Sequence, residues 1–250
     1  MRTRSTVGSD DRAVSDVVGY VLTFSLITIS VGVITVGGFS TLEDRQDAER
    51  INNAERAFDV LAANVEDIYR GGAPSRATEM RLSGGSIRYG EQITIKIASG
   101  GDNVTAQSIP LIYEQGNTKI LYVSGAIIRV DSGKGVMLRS PPFVFKENTI
   151  HMPLIETAPR TSNQLGGKST IQIVGQSAFI DSTPPQAVSE PSGDVNITIN
   201  SSRTEVWKRY FERQDGTVDS DLENDRVSLI ISDKDSIAAP RFRIRLWTRN

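Results

Sequence analysis

The longest apolar stretch of the chain runs from Val17 to Phe39 and contains no formally charged residue. As a helix it would extend roughly 34 Å, at 1.5 Å per residue, which is enough to cross a bilayer core of about 30 Å. No later stretch is comparable in length and apolarity. The pattern therefore predicts one membrane-spanning helix near the N-terminus, followed by a water-exposed body.

Three interpretations of this stretch are possible: a retained anchor, a cleaved secretory signal peptide, and the core helix of a soluble protein. Signal peptides have an apolar core of about 7–15 residues before a small-residue cleavage site. Gly37, Gly38 and Ser40 resemble such a site, but the run is longer and a helical pattern continues after it. A soluble core helix would need a polar face, which the run lacks. The anchor is the favoured interpretation.

Residues 42–69 show the spacing of an amphipathic helix, with apolar residues at alternating steps of three and four. These positions are Ile51, Ala54, Phe58, Leu61, Val65 and Ile68. We expect a kink at Gly37 and Gly38 and a helix end at Gly71-Gly72-Ala73-Pro74. The stripe is either an oligomerisation seam or a face packed on the chain's own sheet. Its shortness favours the second, because coiled coils need several heptads.

From Glu79 onward the pattern changes to an alternation of apolar and polar residues, which predicts strands. Residues 86–89 and 92–97 flank Gly90-Glu91 and are expected to form a hairpin. Further strands are predicted at 109–113, 119–123, 126–130, 136–139, 143–145, 170–174, 195–199, 226–231 and 241–247. Prolines at positions 184, 185 and 191 predict a long loop or a subdomain hinge over 181–193.

One helix is expected among the strands, from Ser201 to Phe211, with hydroxyl side chains capping its start. It places Val206, Trp207, Tyr210 and Phe211 on one face, and this spacing favours core packing over an aromatic carbohydrate platform. The predicted fold class is α+β: a long N-terminal helix, then a mainly antiparallel β domain, either a sandwich or an open barrel. The predicted segments are a basic leader (1–13), a transmembrane helix (14–40), an amphipathic extension (41–70) and an extracytoplasmic β-rich domain (71–250).

Composition and the lack of known catalytic motifs disfavour several classes of function. The balance of 28 basic and 30 acidic residues does not suggest a nucleic-acid partner. There is no cysteine. The single histidine, His151, lies in a segment that resembles a strand edge and is interpreted as an ordinary strand or surface residue. No nucleophile elbow, phosphate loop or metalloprotease helix is present. The acidic run from Asp215 to Asp225 fails the EF-hand pattern and is interpreted as a solvated loop. We therefore expect no enzyme activity, no cofactor and no metal site; a carboxylate hydrolase is a distant alternative.

Charges flanking the apolar stretch predict its orientation. Arginines 2, 4 and 12 precede it, whereas acidic residues predominate between Glu43 and Arg50. Basic flanks favour the cytoplasmic side, so the N-terminus is expected in the cytoplasm and the β-rich domain outside the cell. Three Asn-x-Ser/Thr sequons, at Asn103, Asn196 and Asn200, fall in the external part and are candidate N-glycosylation sites.

The segment Asp11-Arg12-Ala13-Val14-Ser15-Asp16, directly before the apolar run, resembles the class III leader of archaeal type IV pilins and archaellins. Residues 12–22 and 53–62 are also similar to haloarchaeal pilin-like membrane proteins of no established activity. The resemblance implies that prepilin peptidase cleaves between Ala13 and Val14, with Arg12 before the cut, and leaves the apolar helix on the mature chain. It also implies that such helices pack together in the core of a filament.

Asp16 stands where haloarchaeal adhesion pilins typically have proline. An acid at this place would lie beside the new N-terminus and pair with its ammonium group, which also favours the helix dipole. The resemblance implies a minor pilin or a pilus or adhesion component, with the membrane, other pilin-like subunits and the pilus assembly machinery as partners. The alternative is a single-pass anchor carrying an extracellular binding or envelope domain that does not polymerise.

Overall fold

The structure, a computed structural model, describes residues 10–160, 164–178, 193–232 and 234–249. Side chains are described from Asp16 onward, except at positions 36, 38–41, 43 and 44. Most of the predicted loop over 181–193 lies outside the described residues. The chain divides into two compact units, Met1–Arg50 and Ile51–Asn250.

Helix α1 spans Asp10–Tyr69 and continues through Gly37 and Gly38. It ends where the sequence predicted: the Gly71 and Ala73 amides both donate to the Asp67 carbonyl, and Gly72 takes a φ of 68°. That left-handed conformation suits glycine and ends helices commonly. The second helix, α2, spans Thr204–Phe211.

Eighteen strands fall within the described ranges. They are β1 (Ser75–Arg81), β2 (Ser86–Tyr89), β3 (Ile93–Ser99), β4 (Asp102–Ser108), β5 (Leu111–Gln115), β6 (Thr118–Val123), β7 (Ala126–Asp131), β8 (Lys134–Arg139), β9 (Val144–Phe145), β10 (Thr149–His151), β11 (Leu154–Pro159), β12 (Leu165–Gly166), β13 (Thr170–Ser177), β14 (Val195–Asn200), β15 (Thr217–Asp221), β16 (Arg226–Ile231), β17 (Ser236–Ala238) and β18 (Arg241–Arg249).

The strands form four sheets. The largest has the order β12-β2-β5-β6-β7-β8, and the others are β15-β16-β14-β3-β4, β1-β13-β18-β11 and β17-β10-β9. Pairing is antiparallel except for β11 with β18 and β10 with β17. The prediction of an α+β protein with an apolar N-terminal helix and a mainly antiparallel β domain is confirmed.

The inner strands β5, β6 and β7 of the six-stranded sheet are buried on both faces, so they separate two hydrophobic cores. Ile112, Leu121 and Ile128 contribute to one core, whereas their neighbours Tyr113 and Ile120 contribute to the other. Burial of both faces explains why β6 and β7 have apolar runs instead of strict alternation. The sheet is thus the central layer of the domain.

The α1 residues from Ala54 to Ile68 pack into the second of these cores. Phe58, Leu61 and Val65 are almost completely buried there, together with side chains of the four-stranded sheet. Two ion pairs join this part of the helix to the central sheet: Arg129 to Glu55 at 2.7 Å and Arg139 to Glu66 at 3.0 Å. The prediction that the amphipathic stripe packs on the chain's own sheet is therefore confirmed.

The other core contains the five-stranded sheet and α2. The four residues predicted to share one face of α2, at positions 206, 207, 210 and 211, are all buried. The capping prediction was wrong, because the N-cap is Arg203 and no side chain caps the helix. The Ser201 hydroxyl instead accepts a hydrogen bond from the Arg203 amide, and Thr204 donates back to the Ser201 carbonyl.

The predicted hairpin of β2 and β3 was also wrong, because the two strands belong to different sheets. β2 pairs with β5 and β12, whereas β3 pairs with β4 and β14. Ile87 on β2 points into one core and Ile95 on β3 into the other. The alternation and the Gly90-Glu91 turn are the same for a hairpin as for a chain that crosses between layers.

The acidic run interpreted as a solvated loop is partly a strand. Residues 217–221 form β15, an edge strand that pairs with β16, and the following turn is held by Asp221, which accepts from the Asn224 amide at 3.1 Å. Edge strands tolerate charged residues because one side of the ladder faces water. Strands β1, β4, β11, β12 and β17 were not predicted either.

Candidate functional site

The predicted processing segment lies at the start of α1. The backbone of Arg12, Ala13 and Val14 is helical, and Asp16 is exposed. The structure does not test cleavage or the role of Asp16, so both stay predictions.

Residues 16–35 form a stretch of α1 long and apolar enough to cross a membrane, with a mean hydropathy of 2.2. None of it is buried within the chain. Its large apolar side chains are mostly more than half exposed, which is unusual for a helix surrounded by water. Length and composition are compatible with a membrane anchor or with a signal sequence.

Four hydroxyl groups within this stretch are satisfied by the helix itself. Thr23, Thr28, Ser30 and Thr35 each donate to the carbonyl four residues earlier, at 2.7–2.9 Å. Such bonds leave no unmet donor at these side chains, which matters where no water is available. The hydroxyls are therefore compatible with a lipid environment.

The three sequon asparagines differ in accessibility. Asn103 is exposed on β4, at the edge of the five-stranded sheet, and Asn200 is exposed at the end of β14. Asn196 is half-buried in the middle of β14, where its side-chain oxygen accepts from the Thr198 hydroxyl at 3.2 Å. Glycosylation stays a prediction for all three, and Asn103 has the most open setting.

A cavity of about 400 Å³ lies in the Ile51–Asn250 unit, against the end of α1. Its walls come from α1, β6, β8, β10, β18 and the loops beside them. Gly125, in the turn after β6, permits one wall to close: its φ is 85°, and a Cβ there would lie 2.5 Å from Pro142 Cδ. The volume is in the range of small-molecule sites.

The lining of this cavity includes charged groups. The Glu66 carboxylate forms ion pairs with the guanidinium groups of both Arg70, at 2.6 Å between N and O, and Arg139, at 3.0 Å. His151, on β10 as the strand-edge prediction expected, is exposed and lines the same cavity. The lining also includes apolar residues: Pro142, Phe143, Pro153, Pro240 and Phe242.

Tyr122 lines the cavity and is completely buried. Among the described residues, none makes a hydrogen bond of good geometry with its hydroxyl. Burial raises the pKa of Tyr122, with Tyr69 adding to the rise, whereas Arg139 and the adjacent Gly125 amide lower it. A buried hydroxyl without a partner costs roughly 1–3 kcal/mol, so phenylalanine would be the more stable occupant of this position.

Sequence reasoning missed this cavity. Its residues are scattered from Ala62 to Phe242 and meet only through the fold. The one sequence signal was His151, which was interpreted as an ordinary strand or surface residue. Across the described ranges, no group of three or more His, Cys, Asp or Glu side chains could hold a metal ion.

Comparisons with known proteins give one finding about the whole chain. Residues 12–246 match the model of a protein family described as a family of unknown function (DUF7289). No curated protein and no solved structure matches the chain significantly.

Proposed function

Because the chain belongs to this family, which has no assigned function, we propose from its own residues that it is a non-catalytic, type IV pilin-like surface protein. It would be a minor pilin or a pilus or adhesion component. The observation that carries the proposal is a single helix, α1, whose apolar residues 16–35 are unburied and directly follow the Arg12-Ala13 segment.

The arrangement of α1 supports this proposal in a specific way. Removal of residues 1–13 would leave the apolar stretch at the very start of the mature chain, with Asp16 next to the new N-terminus. A carboxylate there favours the positive end of the helix dipole and the ammonium group. Self-satisfied hydroxyls let the same stretch lie in lipid or against identical helices of neighbouring subunits.

A second candidate function is an anchored binding domain that never polymerises. The 400 Å³ cavity favours this candidate, because a purely structural subunit does not need one. In this arrangement the N-terminus is cytoplasmic, the membrane holds residues 16–35, and the external domain carries the ligand.

Processing is the first prediction, and the N-terminus of the mature protein tests it. We expect a chain that begins at Val14 in membranes of cells with prepilin peptidase, and an uncleaved chain in cells without the enzyme, when the proteins are compared by mass spectrometry. In Ala13→Leu a larger side chain replaces the small residue before the cut, and cleavage should fall at least tenfold.

Ala48→Leu is the matched control, because Ala48 is an exposed alanine of the same helix and lies away from the cut. It should be processed like the unchanged protein. A leader retained in cells with the peptidase would leave the anchored-domain candidate. A mature chain starting near Thr41 would mean that the apolar helix is a secretion signal.

A further inference from the structure

The charge in the cavity next to α1 is unbalanced. Two guanidinium groups, of Arg70 and Arg139, face the single carboxylate of Glu66. Within the described part of the chain, Arg139 is hydrogen-bonded through only one nitrogen, so other N–H donors of its fork are left for a further acceptor. The cavity thus has an excess of positive charge and of donors.

The donors that a ligand can reach in this cavity are guanidinium N–H groups. The Tyr122 hydroxyl lies in the wall but is fully buried, so the open space does not reach it. Guanidinium donors match a carboxylate, which accepts several hydrogen bonds and forms strong charge-assisted bonds with them.

The remaining lining matches a flat apolar body. Phe143, Phe242 and three prolines line the cavity. The rings of Tyr69 and Phe242 contact each other, with 5.2 Å between their centroids. Aromatic walls hold rings by stacking and by excluding water. A volume of about 400 Å³ admits a single small ring with its substituents.

We propose that this cavity binds a small organic acid in which a carboxylate is attached to a ring, either an aromatic acid or an acidic sugar. The carboxylate would meet Arg139, and the ring would lie against Phe143 and Phe242. The inference does not depend on cleavage after Ala13, so it holds for a pilin and for an anchored domain alike.

The test uses the full chain in lipid nanodiscs, with benzoate and glucuronate as probes and empty nanodiscs as background. Calorimetry should detect saturable binding of at least one acid, at least tenfold tighter than its neutral counterpart, benzamide or glucose. Binding of benzoate alone identifies an aromatic acid, and binding of glucuronate alone an acidic sugar. Absence of saturable binding of both acids, or equal affinity for acid and neutral probe, would overturn the proposal.

Three variants locate the site. Arg139→Gln should weaken binding of the acid at least tenfold. Tyr122→Phe should leave the affinity unchanged, because the buried hydroxyl does not meet the ligand, and its unfolding midpoint should stay the same or rise. Arg76→Gln is the control, because Arg76 also pairs with an α1 acid, Asp67 at 3.3 Å, but lies outside the cavity. Unchanged affinity in Arg139→Gln, or an equal loss in Arg76→Gln, would show that the acid binds elsewhere.

Discussion

Phe58 and Val60 show how sharply burial changes from one face of a helix to the opposite face. Phe58 is 0% exposed in the core shared by α1 and the central sheet, whereas Val60, two residues later, is 52% exposed. The Phe58 ring lies in a close-packed interior. Neighbouring side chains cannot collapse fully into the space that removal of this ring would leave. Position on the helix, more than hydrophobicity, decides what each residue contributes.

We therefore expect Phe58→Ala to lower the free energy of unfolding by about 3–5 kcal/mol. Val60→Ala should change it by less than about 0.5 kcal/mol, because its side chain already meets solvent. Urea unfolding of the full chain, followed by tryptophan fluorescence, measures both. Equal effects of the two variants would contradict the packing of α1 described above.

Single residues also mark what the sequence can reveal. The spacing of apolar residues from Ala54 to Ile68 was enough to predict which side chains of α1 are buried, because helical periodicity is local. Tyr122 gave no such signal: it stands in an apolar run beside Leu121 and Val123, and its missing partner depends on residues far away in the chain.

At the scale of elements, Glu156 joins the parallel strands β11 and β18. Glu156 is 4% exposed, and its carboxylate accepts hydrogen bonds from Arg241 at 2.5 and 3.0 Å and from Arg243 at 3.2 Å. The two strands pair through residues more than eighty positions apart, so no short turn fixes their register. Glu156 lies opposite Arg243, and we infer that the attraction between their charges fixes the register of the two strands.

Glu156→Gln should lower the free energy of unfolding by roughly 1–3 kcal/mol. Breaking a buried ion pair costs more, but both arginines here are partly exposed and can turn to water. Glu147→Gln, which removes an exposed carboxylate, is the control and should be close to neutral. A midpoint in denaturant that is the same for both variants would contradict a register role for Glu156.

Strand pairing was harder to predict than strand positions. The bounds of β2 and β16 were predicted to the residue, since alternation and turn residues are local properties. The partner of β2 was wrong, because β2 and β3 each present one apolar face and nothing local states which core that face enters. The parallel pairs were missed for the same reason: a distant strand leaves no trace in the pattern nearby.

The whole molecule combines a compact unit, Ile51–Asn250, with an N-terminal unit whose apolar side chains are unburied. A water-soluble protein rarely exposes so many large apolar residues along one helix. Within residues 16–35, the apolar surface surrounds the helix instead of forming a stripe, so one packed partner face would not cover it. A lipid bilayer covers such a surface completely.

Ile27→Arg places a charge at the middle of this stretch and should cost about 2.5–3.5 kcal/mol of insertion free energy. We expect the variant to lose most of its membrane-bound fraction after carbonate extraction of cell membranes. Val60→Arg adds the same charge to an exposed position of α1 and should stay membrane-bound. If Ile27→Arg is retained as well, the apolar helix is not what holds the protein in the membrane.

The position of β18 has a consequence for biosynthesis. This strand follows all others in chain order, yet it lies inside its sheet, between β13 and β11. Until it emerges from the ribosome, β13 and β11 have no common neighbour and keep open edges. A chain cut short before Arg241 would therefore lack the strand that joins β13 to β11. We expect such a chain to be degraded by quality-control proteases more readily than the full chain.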